Sequence, residues 1–373
     1  LSRKAGLAHQ LMLKTIDWYI IKKFLSTFFF TVLIFTMIGV VIDFSEKIEK
    51  FIEEPITMKE ILIDYYPNFA LYIAGLLWPL FTLIAVIFFT SRLASNSEVI
   101  SIFNAGVSFR RYMRPFLVGA AFLAILNLFG NHFFIPMGNK KMFHIVYTYL
   151  ARNDDKGKTQ NVHLFVSPDT KVYIEFYRKR DTTARGFRIE NFKNNQLVSL
   201  LKAESARWIS PPGKWRLNSY EIHSFNGLKE DLVVKRGAQL DTTLNLTPED
   251  FVDYKEQHSM MTTPELNRYI DNQLSRGVGN TDKYEVELYR RTADAFTIFI
   301  LTIIGMTIAS RKIRGGIGIH LALGIGIGAI FIFLSRFAVV FATGKVIPPI
   351  LGMWMPNIIF GIIAVYLISK AQK

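Results

Sequence analysis

Six apolar runs, three on each side of a long polar stretch, constrain this chain more than any other feature of its sequence. They cover approximately residues 24–42, 69–90, 115–135, 295–310, 317–341 and 356–368, and several reach the roughly 18 to 20 residues that cross a hydrocarbon core as a helix. Backbone in lipid must satisfy its own hydrogen bonds, so such runs fold as spanning helices. Half of the 373 residues are hydrophobic, including 32 Phe, a composition too apolar for one water-soluble domain. The expectation is an α-helical polytopic membrane protein with six transmembrane helices.

A net charge of +14 resembles a nucleic-acid signature, but its distribution is topological. Residues 1–23, 91–114, 310–316 and 370–373 hold 14 Lys or Arg against two acids, Asp17 and Glu98. By the positive-inside rule these segments, and both termini with them, lie in the cytosol. No nucleic-acid partner is expected. Trp18 and Tyr19 suit an interfacial anchor before the first span, and no small-residue cleavage site follows that run, which argues against a cleaved signal peptide. The loop expected at residues 43–68 carries seven acids against Lys47, Lys50 and Lys59 and lies outside. Span 4, at 16 residues, gives only about 24 Å of helix, short of the hydrocarbon core. Gly324 and Gly328 in span 5 have the GxxxG spacing of close helix packing. Asn127 and Asn131 in span 3 are of the kind that glue helices together. Residues 347–355 read as an apolar re-entry before span 6.

Residues 137–291 hold 25 basic and 20 acidic residues, too polar and too long for a loop. They form a separate inserted domain between residues 1–136, with spans 1 to 3, and residues 292–373, with spans 4 to 6. Strand patterns recur at 162–166, 171–177, 185–192, 197–209, 215–225 and 232–244, divided by turn signals such as Ser167-Pro168-Asp169 and Pro211-Pro212-Gly213. The expectation is an all-β, jelly-roll-like antiparallel domain over about 160–245. Helices follow, with Thr247 and Thr263 as caps before a proline, Gly277 as a stop, and a helix from about Thr281 that can run into span 4.

The polar island Ser91–Pro115 between spans 2 and 3 is the most distinctive cytosolic segment. Ser95-Asn96-Ser97-Glu98 fits a capping box, and Ala105-Gly106 fits a left-handed stop, so a two-turn helix is expected over 95–105. Val99, Ile102 and Phe103 share one of its faces. Such a face suits a partner protein or the lipid surface.

The sequence has no Cys and no GxxxxGK[ST], HExxH or GxSxG motif, so disulfides, thiolate sites and those forms of phosphate binding or catalysis have no place in it. The seven His are scattered, and no metal site is expected. Asp294 and Arg336, both toward the outer ends of spans 4 and 5, could neutralise one another.

Several segments resemble the LptF/LptG permease family of the lipopolysaccharide exporter. The strongest are RLASNSEVISIFNAGVSFRRYMRP at 92–115 and KAESARWISPPGKWRL at 202–217, supported by SMMTTPELNRYI at 259–270, YEVELYRR at 284–291 and VIPPILGMWMPN at 346–357. The opening ID-x-YI-x-K at 16–22 looks more like the G-type than the F-type subunit, although acids at 43, 46 and 49 interleave with Lys47 and Lys50 where G-type members carry several lysines. The resemblance implies a non-enzymatic permease subunit of an ABC transporter in the inner membrane of a Gram-negative bacterium. It would bind no cofactor itself, ATP being used by a partner. The implied partners are a sister permease, a cytoplasmic LptB-like ATPase dimer, a single-span LptC-like protein, a periplasmic LptA-like bridge and lipopolysaccharide. ATPase coupling would fall to Glu98, with Val99, Ile102, Phe103 and Arg92. Substrate contacts would involve Lys47, Lys50 and Arg336, and inward positions Val172, Ile174 and Leu217 of the β domain. A rival reading is a membrane-tethered sensor or scaffold whose outer β domain binds a ligand.

Overall fold

The computed structural model describes residues 14–150, 159–178, 180–227, 229–251, 256–279, 281–311 and 316–371. In chain order its helices are α1 (Thr15–Glu53), α2 (Glu60–Ser95), α3 (Glu98–Asn104), α4 (Phe109–Leu150), α5 (Thr263–Ser275), α6 (Asp282–Ala309), α7 (Gly316–Thr343) and α8 (Pro349–Ala371). Six of them, all but α3 and α5, are long and apolar enough to cross a membrane. Between α4 and α5 lie six strands, β1 (Gln160–Ser167), β2 (Thr170–Arg178), β3 (Thr183–Lys193), β4 (Gln196–Ser210), β5 (Lys214–Asn226) and β6 (Lys229–Thr243). The chain divides into two compact units, one from the described residues up to Met142 and from Asp282 on, the other Phe143–Thr281.

In the helical unit the aromatic-rich runs supply the core. Phe24 and Phe28 of α1, Phe81 and Phe89 of α2, and Tyr112 and Phe116 of α4 are buried in one cluster. The opposite face of α1 keeps Phe30, Leu33, Met37 and Val41 exposed at helical spacing, a stripe suited to hydrocarbon or to another spanning helix. A Cβ at Gly324 would overlap the side chain of Ile87, and one at Gly328 that of Leu80. The GxxxG pair therefore sets a close approach of α7 to α2.

The helices outrun the expected spans. The stretch from Asp43 to Glu53 continues α1 as helix, supported by pairing of Asp43 with Lys47, and stops only where Glu54 turns extended before Pro55, the conformation that a following proline favours. The helix expected from about Thr281 does run into span 4: α6 begins at Asp282 and has 28 residues, about 42 Å of helix, its first half polar and its second half the apolar run. No re-entrant segment precedes span 6, since α8 is continuous from Pro349 with Pro356 inside it. Asn127 and Asn131 bond each other at 3.1 Å along α4, next to its π-helical turn Gly130–Phe134, instead of bridging helices.

In the β unit the strands pair antiparallel in sequence order, β1 to β6, so the jelly-roll-like domain has the connectivity of a meander. Alternation decides the register. Val162, Ile174, Phe187 and Ala203 stand opposite one another on successive strands, and all are buried. The cap of α5 is Thr262, one residue earlier than expected, whose N–H and hydroxyl reach Glu265 at 2.7 and 2.8 Å. Thr247 precedes only a 3-10 turn, Pro248–Phe251. Gly277, at φ +76°, ends α5.

On the β5–β6 hairpin His223 lies 2.5 Å from Glu230 and 3.2 Å from Glu221. The bonds to Glu230 and then Glu221 hold its pKa above the usual value. A group whose pKa is raised by folding stabilises the fold fully below its unfolded pKa, about 6.5, and loses that contribution as pH rises through the folded value. Hydrogen exchange in the hairpin, corrected for intrinsic rates, should therefore be faster at about pH 8.5 than at about pH 6. His223→Gln should remove the difference, and an unchanged pH dependence in that variant would refute the assignment.

Candidate functional site

The polar island folds as a tight reversal. Helix α2 runs through to Ser95, with the N–H groups of Asn96 and Ser97 bonded back to Arg92 and Ala94. Ser97 then adopts φ +60°, and α3 starts at Glu98. The expected capping box does not form, because Ser95 belongs to the last turn of the preceding helix. Glu98 instead accepts a bond from Asn96 Nδ2 at 3.1 Å. The left-handed stop is present: Gly106, at φ +81°, and Val107 donate to Phe103 and Ile102, a Schellman arrangement.

The faces of α3 are reversed relative to the simplest sequence reading. Val99 is buried, and Ile102 and Phe103 are half-buried against the helical core, where the ring of Phe103 meets Tyr112 and Phe109. These three side chains anchor α3 to its own chain. The exposed side presents Ile100, Ser101 and Asn104, with Glu98 half-buried at its start and Arg92 exposed on the last turn of α2. The chain that leaves α3 is held by a second feature. Arg111, in the first turn of α4 capped by Ser108, donates from both terminal nitrogens to the buried carboxylate of Asp17 in the first turn of α1, one bond measuring 2.9 Å. Asp17 also accepts from the Lys14 N–H at 2.7 Å. The sequence signal for this clamp was slight: a lone acid in a basic segment.

Of the basic residues expected near substrate, Lys47 is engaged within the chain. Its ammonium pairs with Asp43, meets Tyr65 Oη at 2.5 Å and lies over the rings of Tyr65 and Phe69. Tyr65 in turn donates to Asp43 at 3.0 Å. Lys50 is exposed. Arg336 is exposed on α7 and forms no ion pair with Asp294 among the described residues; Asp294 faces Arg290 of its own helix at 3.6 Å. The neutralising pair expected between spans 4 and 5 is thus replaced by a cluster within α6. There Glu287 accepts from Arg291 Nε at 3.0 Å and from Arg290 at 2.7 and 3.1 Å. One helical turn on, Asn357 of α8 donates to the Ala293 carbonyl at 2.9 Å and accepts from Thr297 at 2.7 Å, stapling α8 to α6.

Val172, Ile174 and Leu217 are fully buried in the β domain. The space they face is filled by Phe187, Trp215, Leu246 and Phe251, so an acyl chain reaches them only if part of that filling moves.

The chain matches the model of the family described as lipopolysaccharide export system permease LptF/LptG over residues 18–370. It is also 20% identical, over 97% of its own length and the whole of the relative, to a protein of Haemophilus influenzae named lipopolysaccharide export system permease protein LptG. Six spanning helices with an antiparallel β domain inserted after the third, and a match that covers nearly the entire sequence, place this chain in the LptF/LptG family of lipopolysaccharide export permeases.

Proposed function

We propose that the chain is a G-type permease subunit of an ABC exporter that takes lipopolysaccharide from the outer leaflet of the inner membrane. Both termini and α3 face the cytosol, and the β domain is periplasmic. A separate cytosolic ATPase dimer supplies the energy through α3. The observation that carries this reading is the construction of α3: Val99, Ile102 and Phe103 are spent on its own chain, while Ile100, Ser101 and Asn104 are turned to the outside, with Glu98 half-buried beside them. A short helix held rigidly to the spans α2 and α4 transmits a push from the cytosol to both. The exposed stripe on α1 suits a sister permease.

The β domain offers a route onward. Strand β6 is an edge of the sheet, and its consecutive residues Leu232, Val233 and Val234 are exposed at 54, 48 and 47%. An edge with open main-chain groups and apolar side chains accepts a strand from another protein, which fits a periplasmic bridge. Copurification in mild detergent tests the reading: an ATPase and a second six-span chain should accompany this one in stoichiometric amount. A chain that purifies alone yet still binds a ligand through its β domain would support a sensor or scaffold instead.

Arg336 is proposed as a phosphate contact, since an exposed guanidinium in the outer half of a span reaches headgroup oxygens. Arg336→Ala should express and fold like the parent while binding lipopolysaccharide about tenfold more weakly, the loss of about 1.4 kcal/mol expected for one charge-assisted contact, and Arg336→Lys should restore binding in part. Unchanged binding by the Ala variant would remove Arg336 from the substrate path.

A further inference from the structure

Helix α1 is fastened to its neighbours by polar groups near each end. In its first turn Asp17, with only 3% of its side chain exposed, accepts from both terminal nitrogens of Arg111 in α4. Toward the other end Tyr65 of α2 donates to Asp43 at 3.0 Å, and Lys47 pairs with the same carboxylate. From Asp17 to Asp43 the helix rises about 39 Å. Between the two fastenings lies the exposed stripe of Phe30, Leu33, Met37 and Val41.

Arg111 sits against the preference of its own helix. It belongs to the first turn of α4, which holds no acid and where the helix dipole disfavours a cation. Arg110 and Arg114 share that disadvantage but are exposed, and the positive-inside rule accounts for them. Arg111 is half-buried and reaches inward to a buried carboxylate. A residue unfavourable for its own helix is placed by what its side chain meets. Asp17, in contrast, also serves its own helix, accepting from the Lys14 N–H at 2.7 Å.

The path from α3 to this contact is short and stiff. Val107 N–H bonds back to the Ile102 carbonyl, Ser108 caps α4, and the Phe103 ring lies against Phe109 and Tyr112, which flank Arg111 in sequence. Apolar packing, such as Phe24 of α1 against Phe116 of α4, is non-directional and lets helices slide. A guanidinium fork on a carboxylate fixes distance and angle together. A buried ion pair adds little net stability over an apolar filling of the same volume, so what this one supplies is geometry.

We propose, building on the permease reading and deepening it, that Asp17 and Arg111 are positioning residues for export: their contact carries a movement of α3 to α1, and with it the stripe that suits a sister permease. The fastening at Asp43 returns α1 to α2, and α2 leads directly into α3. The four elements thus form a closed loop that turns as one body instead of sliding at α1.

The test uses the full chain with its copurifying subunits in proteoliposomes, with ATP hydrolysis and lipopolysaccharide delivered to an acceptor measured together. Asp17→Asn and Arg111→Gln should each lower the lipopolysaccharide moved per ATP by about tenfold, the effect of about 1.4 kcal/mol lost from the link, with hydrolysis and thermal midpoint close to the parent. Arg111→Lys keeps the charge without the fork and should recover part of the loss. The absence of Cys from the chain makes a single thiol a clean reporter of α1. An Ile48→Cys thiol, exposed where the stripe continues, should react with a maleimide at different rates in nucleotide-free and ATP-trapped complexes, and Arg111→Gln should abolish that difference. Unchanged lipopolysaccharide per ATP in both variants of an assembled complex refutes the link and leaves the permease reading standing. Transport and hydrolysis that fall together with the thermal midpoint, without recovery by lysine, make the pair merely structural and also overturn the link. A preparation that holds no ATPase overturns both. Should neither variant assemble, spin labels at Tyr19→Cys and Arg110→Cys in the otherwise native chain decide: a separation that stays fixed between the two nucleotide states while the Ile48→Cys rate changes supports the link, and a separation that changes, or a thiol rate that does not, overturns it.

Discussion

Glu287→Ala is expected to lose most folded protein, with a destabilisation of about 3–5 kcal/mol, the cost of removing one partner from a buried ion pair. Glu287 and Arg291 expose only 7 and 1% of their side chains, and the carboxylate divides its oxygens between two guanidinium groups, Oε1 to Arg291 and Oε2 to Arg290. Arginine has no neutral form available to it in a protein, so loss of the carboxylate leaves two positive charges on adjacent residues of one helix. Glu287→Gln keeps the shape and one acceptor and should fall between the parent and the Ala variant. Asp294→Ala removes a more exposed and longer contact, 3.6 Å from Arg290, and should cost less than about 1 kcal/mol. Thermal unfolding in a fixed lipid mimetic, with monodisperse yield beside it, measures all three. A Glu287→Ala protein within about 1 kcal/mol of the parent would mean that water or other groups take up the charge of Arg291 and that Glu287 is not what holds the cluster.

This cluster also shows why the sequence was legible in some places and opaque in others. Strand positions could be read because a half-buried strand writes its register into an alternation of period two, as at Val172 and Ile174, and because turns need the Pro, Gly and Asn residues found between the strands. Span count was legible for the same reason: hydrocarbon thickness fixes a length that composition alone reveals. Helix ends were read too short, since polar residues such as Glu46 and Lys50 propagate a helix as well as apolar ones do, and only Pro55 stops α1. Side-chain partners were the least legible. Asp17 and Arg111 are 94 residues apart in the chain, Thr297 and Asn357 are 60 apart, and no local pattern encodes such a meeting. Amphipathicity shows that Val99, Ile102 and Phe103 share a face, but not whether a partner or the chain's own spans cover it. Phe251 could not be seen as part of the β-domain core, because its partners Tyr177 and Trp215 lie on strands far earlier in the sequence.

The reversed faces of α3 change what mutation there should do. Glu98→Ala, at a half-buried position that accepts from Asn96, should cost no more than about 1 kcal/mol, and Ile100→Ser, at an exposed one, no more than about 0.5 kcal/mol, yet each should lower lipopolysaccharide-dependent ATP hydrolysis by about tenfold or more if it removes an interface contact worth about 1.4 kcal/mol. Ser95→Ala should be silent in both assays, because Ser95 is an exposed residue of α2's last turn and caps nothing. Val99→Asp should fail in both, since it places a carboxylate where only 1% of the residue reaches solvent, at a cost of several kcal/mol. Its damage is to the anchoring of α3 on Phe89, Tyr112 and their neighbours, not to the surface proposed to meet an ATPase. Comparing stability with turnover for the four variants in the reconstituted complex therefore separates contact from anchorage. Normal coupling in both Glu98→Ala and Ile100→Ser, beside its loss in Val99→Asp, would make α3 a strut of the membrane unit and move the ATPase contact elsewhere on the cytosolic surface.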